Sequence, residues 1–339
     1  MIHFVTTRDH GVTFRHLVAR LGPAACRPWA YESLFAERWL PGGTWIFTDH
    51  ERLSAHELAL ASRVAFHLEQ GGARVLNRPA QVARRFDLLT RLKQAGINGF
   101  SAWRAEAFPR PERFPVFLRN EYDHKTRANT PLIRSQQELD SVLGQMQREG
   151  FSLVGKLVIE YAGAEVSPGV WQRLQTYCVG GRIIAHTNVV DFNWVVKDAT
   201  DRGRLEAHPE FDRFLAHEDA FIRQNLHAEL LGRVFKLAGI DYGRADFALV
   251  DGRPQIYEIN TNPTHADHVA LFRNIHPRRA AIQKFSEDAV EAALLALDTP
   301  DRGPIRIRDA MLKPQQAPRR SWLQRLLHRH AAPPPLRRP

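Results

Sequence analysis

The residues with the clearest chemical potential lie in one stretch, YGRADFALVDGRPQIYEINTNP, at positions 242–263. Two runs of strand-like composition flank Asp251 and Gly252, so the stretch reads as a β-hairpin. Glu258 and Asn260 stand two residues apart on the second run and therefore share a face. Whether Asp246 joins them depends on the connection. A plain two-residue turn sets Asp246 opposite Tyr257, with its carboxylate on the wrong face. A three-residue loop or a bulge sets it opposite Glu258 and puts Phe247 and Leu249 on the reverse face with Tyr257 and Ile259. We adopt the second register, because it gives the hairpin one apolar side and one carboxylate side. Two carboxylates and an amide oxygen, without His or Cys, form a hard oxygen set that suits Mg2+ or Mn2+ and leaves coordination positions for nucleotide phosphates. The alternative is a solvent-facing hairpin whose acids pair with Arg244 or Arg253.

Other reactive residue types are sparse. His265 and His268 follow the acid-bearing strand closely, either as substrate contacts and proton carriers near neutral pH or as part of a plain polar loop. Cys26 and Cys178 read as small apolar fillers. Two cysteines cannot build a disulfide framework, and no Cys/His cluster has zinc spacing, so a reducing, cytoplasmic setting is expected. The opening MIHFVTTRDHG lacks the apolar segment of a signal peptide, and no run approaches the roughly 18 apolar residues of a membrane span.

The elements that must position the hairpin come in three blocks. Residues 1–98 alternate strand-like and helix-like pieces: strands over 2–6, 44–47 and 74–76, a helix over 13–21, and a helix from a Ser54/Glu57 capping box to Gln70. A further helix opens at Pro79 and ends near Gly96. This alternation predicts a small parallel sheet covered by helices. Residues 99–190 predict an α+β unit. FPRPERFP at 108–115 reads as a linker, followed by the strand PVFLR, a helix from a Ser135/Glu138 capping box, the strand LVIEY, and a hairpin turning at Gly180 and Gly181. Residues 191–300 predict one long amphipathic helix over 218–237, the acid-bearing hairpin, and a last helix over 279–297.

The 339 residues are 44% hydrophobic and 25% charged, as in ordinary globular protein. The net charge of +10 is unevenly placed. From position 301 onward ten Arg or Lys stand against two Asp, a net +8 that leaves only +2 for the rest. The body therefore carries neither the excess charge nor a reading motif for specific nucleic-acid binding. The tail over 301–339 reads as a disordered Pro/Arg-rich segment. Its SWLQRLLHRH piece puts apolar and basic residues on opposite helical faces, so 319–330 is the place for a weak contact with an anionic membrane or a protein.

Taken together, residues 1–297 resemble the ATP-grasp family, which includes D-alanine ligase, glutathione synthetase and ligases that add glutamate to protein tails. The D…E-x-N pattern of Asp246, Glu258 and Asn260 carries most of the resemblance. It implies magnesium ions bridging the phosphates of ATP. VLNRPAQVARRFDLLTRLKQAGI at 75–97 looks like the segment joining the first two domains, and PVFLR like the strand presenting a phosphate-binding cation. LVIEYAG looks like the hinge strand beside adenine, which brings in Glu160, Tyr161 and Ala162. QTYCVGGRIIAHTNVV looks like the following hairpin, with Lys197 after it as a phosphate or substrate contact. Where many relatives use lysines, this chain offers Arg85 and Arg119, and arginine can bind phosphate bidentately. The glycine-poor loop at 120–131 offers His124, Lys125 and Arg127 instead of backbone amides. Where relatives often carry an arginine before the Gly-Gly turn, Gln175 stands, with Arg173 two residues earlier on the same face.

The resemblance implies an ATP-grasp fold, with an N-terminal α/β domain and two α+β lobes holding ATP between them. It also implies an ADP-forming ligase that joins a small-molecule or peptide carboxylate to an amine through an acyl phosphate. Arg119, Lys197 and Arg173 would be catalytic. Arg85, Arg119, Glu160, Tyr161, Ala162 and Lys125 would bind ATP. A kinase acting on a hydroxyl, and a degenerate nucleotide-binding protein tethered by its basic tail, are the rival readings.

Overall fold

The computed structural model describes residues 1–122, 130–196, 202–265, 276–300 and 303–316. The chain starts with β1 (Ile2–Thr6), α1 (Arg15–Leu21), β2 (Cys26–Ala30), α2 (Tyr31–Leu34), β3 (Trp39–Leu40), β4 (Thr44–Phe47), α3 (Ala55–Gln70) and β5 (Arg74–Leu76). A parallel sheet in the order β2-β1-β4-β5 results. Its central strands IHFVT and TWIF are buried along their whole length, as strands covered on both faces must be. The Ser54/Glu57 capping box is present at the start of α3. The strand order reverses between β1 and β4, so the carboxyl ends of these two strands open a crevice of the kind in which α/β sheets bind ligands.

The second block holds α4 (Arg85–Gln94), β6 (Ala102–Arg104), β7 (Val116–Asn120), α5 (Gln136–Arg148) and β8 (Lys156–Glu160). Its antiparallel sheet has the order β6-β8-β7. The proline-rich stretch connects β6 to β7 within this sheet, so it is an internal loop where the sequence reads as a linker. Residues 78–84 precede α4 as turns, and the helix begins at Arg85 instead of Pro79.

The third block comprises β9 (Glu165–Ser167), β10 (Val170–Val179), β11 (Arg182–Asp191), α6 (Arg202–Glu206), α7 (Phe211–Gln224), α8 (Ala228–Ala238), β12 (Tyr242–Val250), β13 (Arg253–Asn260) and α9 (Pro277–Leu295). Its sheet runs β11-β10-β12-β13, with β9 on β10. The β10/β11 hairpin, which the sequence groups with residues 99–190, thus hydrogen-bonds directly to the acid-bearing strand β12. The single helix expected over 218–237 is two. Asn225 takes a left-handed conformation (φ 46°) and its amide donates to the Ile183 carbonyl at 2.9 Å, which ends α7 and turns the chain into α8. One face of the sheet packs Leu174, Ala245, Phe247 and Ile259 against α4, α7 and α8. On the other face, Tyr177, Val179 and Tyr242 meet α9 and the first sheet's Ile2 and Phe4. The same face carries Gln175 and Asp246, paired directly opposite each other farther along the strands.

Residues 303–316, expected to be disordered, pack back onto the first block. β14 (Ile305–Arg306) pairs antiparallel with β3, and α10 (Lys313–Gln316) follows. Ile305, Ile307 and Leu312 enter the core around Trp45 and Phe47. Asp309 accepts from Arg63 at 2.6 Å and pairs with His67 at 3.2 Å. Gly71 leaves the space that Ile305 fills, since a Cβ there would collide with that side chain. The apolar residues explain why this piece of a Pro/Arg-rich tail orders. The amphipathic piece at 319–330 lies outside the described residues. Among the described residues, no helix is long and apolar enough to cross a membrane.

The strap over 303–316 is therefore expected to be part of the N-terminal core. Leu312→Ala should cost about 2–5 kcal/mol of unfolding free energy, and ending the chain at residue 302 should cost more, both read by denaturant titration.

Candidate functional site

Asp246 faces Glu258 across β12 and β13, and Arg244 faces Asn260. The connection combines both features that the sequence set against each other. Asp251 and Gly252 have φ of 51° and 73° and make a two-residue turn of the I′ type. The register then shifts between Asp246 and Phe247, so that Phe247 pairs with Ile256 and Tyr257 is the extra residue. This bulge restores the expected pairing of the two acids. It also changes one assignment: Tyr257 leaves the apolar reverse face, and Ile256 takes its place beside Phe247. Asn98 stabilises the irregular backbone, because its amide donates to the Ile256 carbonyl at 2.9 Å and accepts from the Ile256 N–H at 2.8 Å. A single side chain thus does the work of a neighbouring strand.

Both carboxylates are buried, and both are held by arginines. Glu258 accepts from Arg85 and, at 2.9 Å, from Arg119. Asp246 accepts from Arg173 at 2.7 Å and from Gln175 at 3.1 Å, with Arg244 at 3.4 Å. Burial opposes the charge on Arg244, but Asp246, Tyr177 and Glu258 outweigh it, and its pKa lies above the ordinary arginine value. Asn260 Oδ1 accepts from the Asn262 N–H at 2.8 Å. Arg85 is the most enclosed of these cations. It also donates to the Asn120 and Glu121 carbonyls at 2.8 and 3.2 Å, and it lies behind Glu258 instead of lining the open cleft.

Two opposed carboxylates and an amide oxygen on one sheet face fit a hard divalent cation such as Mg2+. Among the described residues, no group of three His, Cys, Asp or Glu could hold a metal ion, so a cation here would rest on the two acids together with the Asn260 amide oxygen. The surrounding arginines fit a polyanion. The donor set and its cations are therefore complementary to a metal-bound polyphosphate.

The acids line a cleft of about 700 Å³ with three distinct walls. One is apolar and comes from the second block: Leu89, Phe100, Phe117, Ile159 and Ala162, joined by Tyr257 and Trp194. Trp194 meets Phe117 and Tyr161 edge-on, at 5.3 and 5.6 Å between ring centres. The second wall is charged, with Arg119, Arg173, Arg244, Asp246, Glu258 and Asn260. The third comes from the first block's crevice, with His10, Thr13 and Arg52.

The sequence-predicted residues divide by place. Arg119, Glu160, Tyr161, Ala162, Arg173, Asp246, Glu258 and Asn260 all line the one cleft. The Glu160 carboxylate already accepts from the Ser101 N–H at 2.8 Å and from Arg113 at 3.0 Å. The Tyr161 N–H donates to Pro115, and the Ala162 carbonyl accepts from the Tyr257 hydroxyl. Lys125, Lys197, His124, Arg127 and His268 lie outside the described residues.

Sequence reasoning left out the N-terminal wall. Asp49, buried at the end of β4 with φ of 59°, accepts from Thr6 and Thr7 hydroxyls at 2.7 and 2.6 Å and from Arg52. Thr7 in turn contacts His10 Nδ1 at 2.8 Å. Asn262, two residues beyond Asn260, bonds to Thr13 and Thr6 and ties this wall to the acid strand. The available signal was positional: these residues follow β1 and β4, the pair where strand order reverses. Arg244 was visible only as a pairing partner, although it shares a face with Asp246.

His265 is not in the cleft. It is fully buried, stacks on Tyr177 and contacts the Tyr242 hydroxyl at 2.8 Å. Burial, with Arg20 and Arg244 nearby, pushes its pKa down to about 3. Burial likewise pushes the Cys26 and Cys178 thiols up, to about 11 and 12, so both stay protonated fillers.

No family model matches the chain, and no curated protein does. The chain is similar to several solved structures at low identity. One is D-alanine–D-alanine ligase from Bacillus anthracis complexed with ATP, at 13% identity over 86% of this chain and 98% of that chain, TM-score 0.43. Another is a RimK domain protein ATP-grasp from Sphaerobacter thermophilus, at 12% identity over 88% and 99%, TM-score 0.46. A third is ATP-grasp ligase PsnB complexed with precursor peptide PsnA2 and AMPPNP, at 14% identity over 86% and 97%, TM-score 0.48.

The buried imidazoles give a pH prediction. His50 resembles His265, its pKa pushed by burial to about 4. In the unfolded chain both groups take up a proton near pH 6.5, whereas the folded chain resists until about 3–4. Unfolding therefore binds protons between these values, and this contribution to stability is present above pH 6.5 and is lost as pH falls. The melting temperature should drop from pH 7 to pH 5, while the His50 and His265 imidazole NMR signals stay those of the neutral form.

Proposed function

We propose that this protein is an ATP-grasp enzyme, an ATP- and magnesium-dependent ligase that joins a carboxylate to an amine. The observation that carries the reading is the Asp246, Glu258 and Asn260 face, set among arginines between an apolar slot and an N-terminal crevice. In this reading the adenine lies in the slot among Phe117, Ile159, Tyr161, Trp194 and Tyr257, beside Ala162 and Glu160. The phosphates run toward Arg119, Arg173 and Arg244. Lys125 and Lys197 belong to the same set by their order in the chain. Asp246, Glu258 and Asn260 would hold Mg2+, whose charge neutralises the phosphate oxygens as the γ-phosphoryl group transfers.

The chemistry has two displacements. A substrate carboxylate oxygen attacks the γ-phosphorus, ADP leaves, and an acyl phosphate remains. An amine nitrogen then attacks the acyl carbon, loses its proton, and inorganic phosphate departs with the former carboxylate oxygen. The protein's contribution is position and charge: guanidinium groups aimed where negative charge accumulates. Thr13, His10 and Arg52 line the same cleft beyond the Asp246, Glu258 and Asn260 face, and in this reading they receive the substrate carboxylate and the amine. The carboxylate substrate is a small molecule or a peptide end.

Glu258→Gln is expected to keep the fold, because its amide oxygen can still accept from Arg119. It should lower ATP turnover by about 10²-fold or more, the scale of losing one preorganised charge-stabilising group. Wild type with Mg2+ and AMPPNP at about 100 times its dissociation constant should gain roughly 2.7 kcal/mol of stability, and the variant less. Full turnover by the variant, measured as ADP formation, would sink the assignment.

A further inference from the structure

Resting on that reading, we infer that His10 is the base that takes the proton from the attacking amine, and that Thr7 and Asp49 hold its ring in the tautomer able to do so. The amine, and not the carboxylate, then enters on the first-block side of the cleft.

The tautomer follows from counting hydrogens. Asp49 is buried at the end of β4 beside Arg52, and a carboxylate there only accepts. Its Oδ2 takes the Thr6 and Thr7 hydroxyls at 2.7 and 2.6 Å and the Thr7 N–H at 3.2 Å. The single hydroxyl hydrogen of Thr7 is therefore committed to Asp49. Toward His10 Nδ1, 2.8 Å away, the same oxygen can act only as an acceptor, so Nδ1 carries the proton. In the neutral ring Nε2 is then the accepting nitrogen.

The backbone around this chain of bonds is fixed as well. The His10 N–H donates to the Thr7 carbonyl at 3.0 Å, and the His10 carbonyl accepts from the Thr13 hydroxyl at 2.8 Å. Asp49 has a left-handed backbone, and its N–H donates at 3.1 Å to the hydroxyl of Thr261, the residue after Asn260. Such a conformation persists only where its surroundings determine it. The carboxylate that anchors His10 is thus tied to the acid-bearing strand.

His10 lines the cleft with its side chain 21% exposed. An accepting nitrogen is complementary to N–H groups, whereas a carboxylate finds donors in Arg119, Arg173 and Arg244 on the charged wall. An ammonium group must lose a proton before its nitrogen can attack, and Nε2 takes that proton. The nitrogen bonds to the acyl carbon, and the carbon–oxygen bond to phosphate breaks with its electron pair on the phosphate. The second nitrogen proton leaves with the phosphate, and the imidazolium returns its own to water. Asp49 Oδ2, 3.8 Å from Nδ1, faces the positive charge that the ring holds in between. His10 is therefore catalytic, and Thr7 and Asp49 are positioning residues.

Two measurements on the full chain test this. Imidazole nitrogen NMR in mildly alkaline buffer should show His10 protonated at Nδ1; Thr7→Val should lose that preference and Thr7→Ser should keep it. A wild-type His10 protonated at Nε2 would overturn the inference and leave the ligase reading standing. The second measurement is ADP formation with ATP, Mg2+ and a mixture of the common L-amino acids, which supply both carboxylate and amine. His10→Gln should lower it about 10²-fold or more. Added hydroxylamine, whose nitrogen is already unprotonated at neutral pH, should bring the variant back to within about tenfold of wild type. An undiminished rate in the variant, or an equal loss with and without hydroxylamine, would overturn the inference alone. No ADP formation by wild type with either nucleophile would overturn the ligase reading with it.

Discussion

Two carboxylates face each other across β12 and β13, and most of the molecule is arranged to keep that opposition in place. A two-residue turn alone would point Asp246 away, because side chains alternate along a strand and a slip of one residue reverses every one of them. The bulge at Tyr257 corrects the count. Asn98 holds the bulge from outside, through both polar groups of Ile256. Asn77 fixes the start of the partner strand β12, donating to the Tyr242 carbonyl and accepting from the Asp241 and Tyr242 N–H groups. Both asparagines precede the strand residues they bond by more than 150 positions. The first two blocks of the chain therefore act as braces for a hairpin in the third.

The second constraint is electrostatic. An unpaired buried carboxylate is strongly destabilising, so Asp246 and Glu258 need cationic partners whenever no ligand is present. Arginine suits this role better than lysine. Its planar fork can hold a carboxylate and a backbone carbonyl together, as Arg85 does with Glu258, Asn120 and Glu121. Arginines where the family resemblance implies lysines are thus compatible with buried carboxylates that must stay paired.

How much of this could be read from the sequence follows from the range of each interaction. Strands with a local signal, such as Ile2–Thr6, Thr44–Phe47 and Val116–Asn120, lie close to where composition puts them. The register of the acids was legible because only one pairing gives the hairpin a carboxylate face, although the bulge itself leaves no local mark. The break between α7 and α8 was missed because a left-handed Asn225 depends on a bond to Ile183 from a different element. The strap was missed for the same reason, since a few apolar residues in a basic tail order only against a core 250 residues away. The wall with His10, Thr13 and Arg52 is a property of strand order, which one-dimensional spacing does not contain.

That strap has a consequence for how the chain acquires its structure. The core around Trp45 and Phe47 uses residues from the first 75 positions and then Ile305, Ile307 and Leu312. During synthesis the first block is made well before residues 305–312, so one patch of its apolar interior stays uncovered until they follow. Contacts of such sequence separation are slow to close, and the exposed patch is open to wrong partners in the interval. Completion of the first block thus waits for the strap, and a chain cut short anywhere upstream of residue 305 carries an unfinished surface on that block.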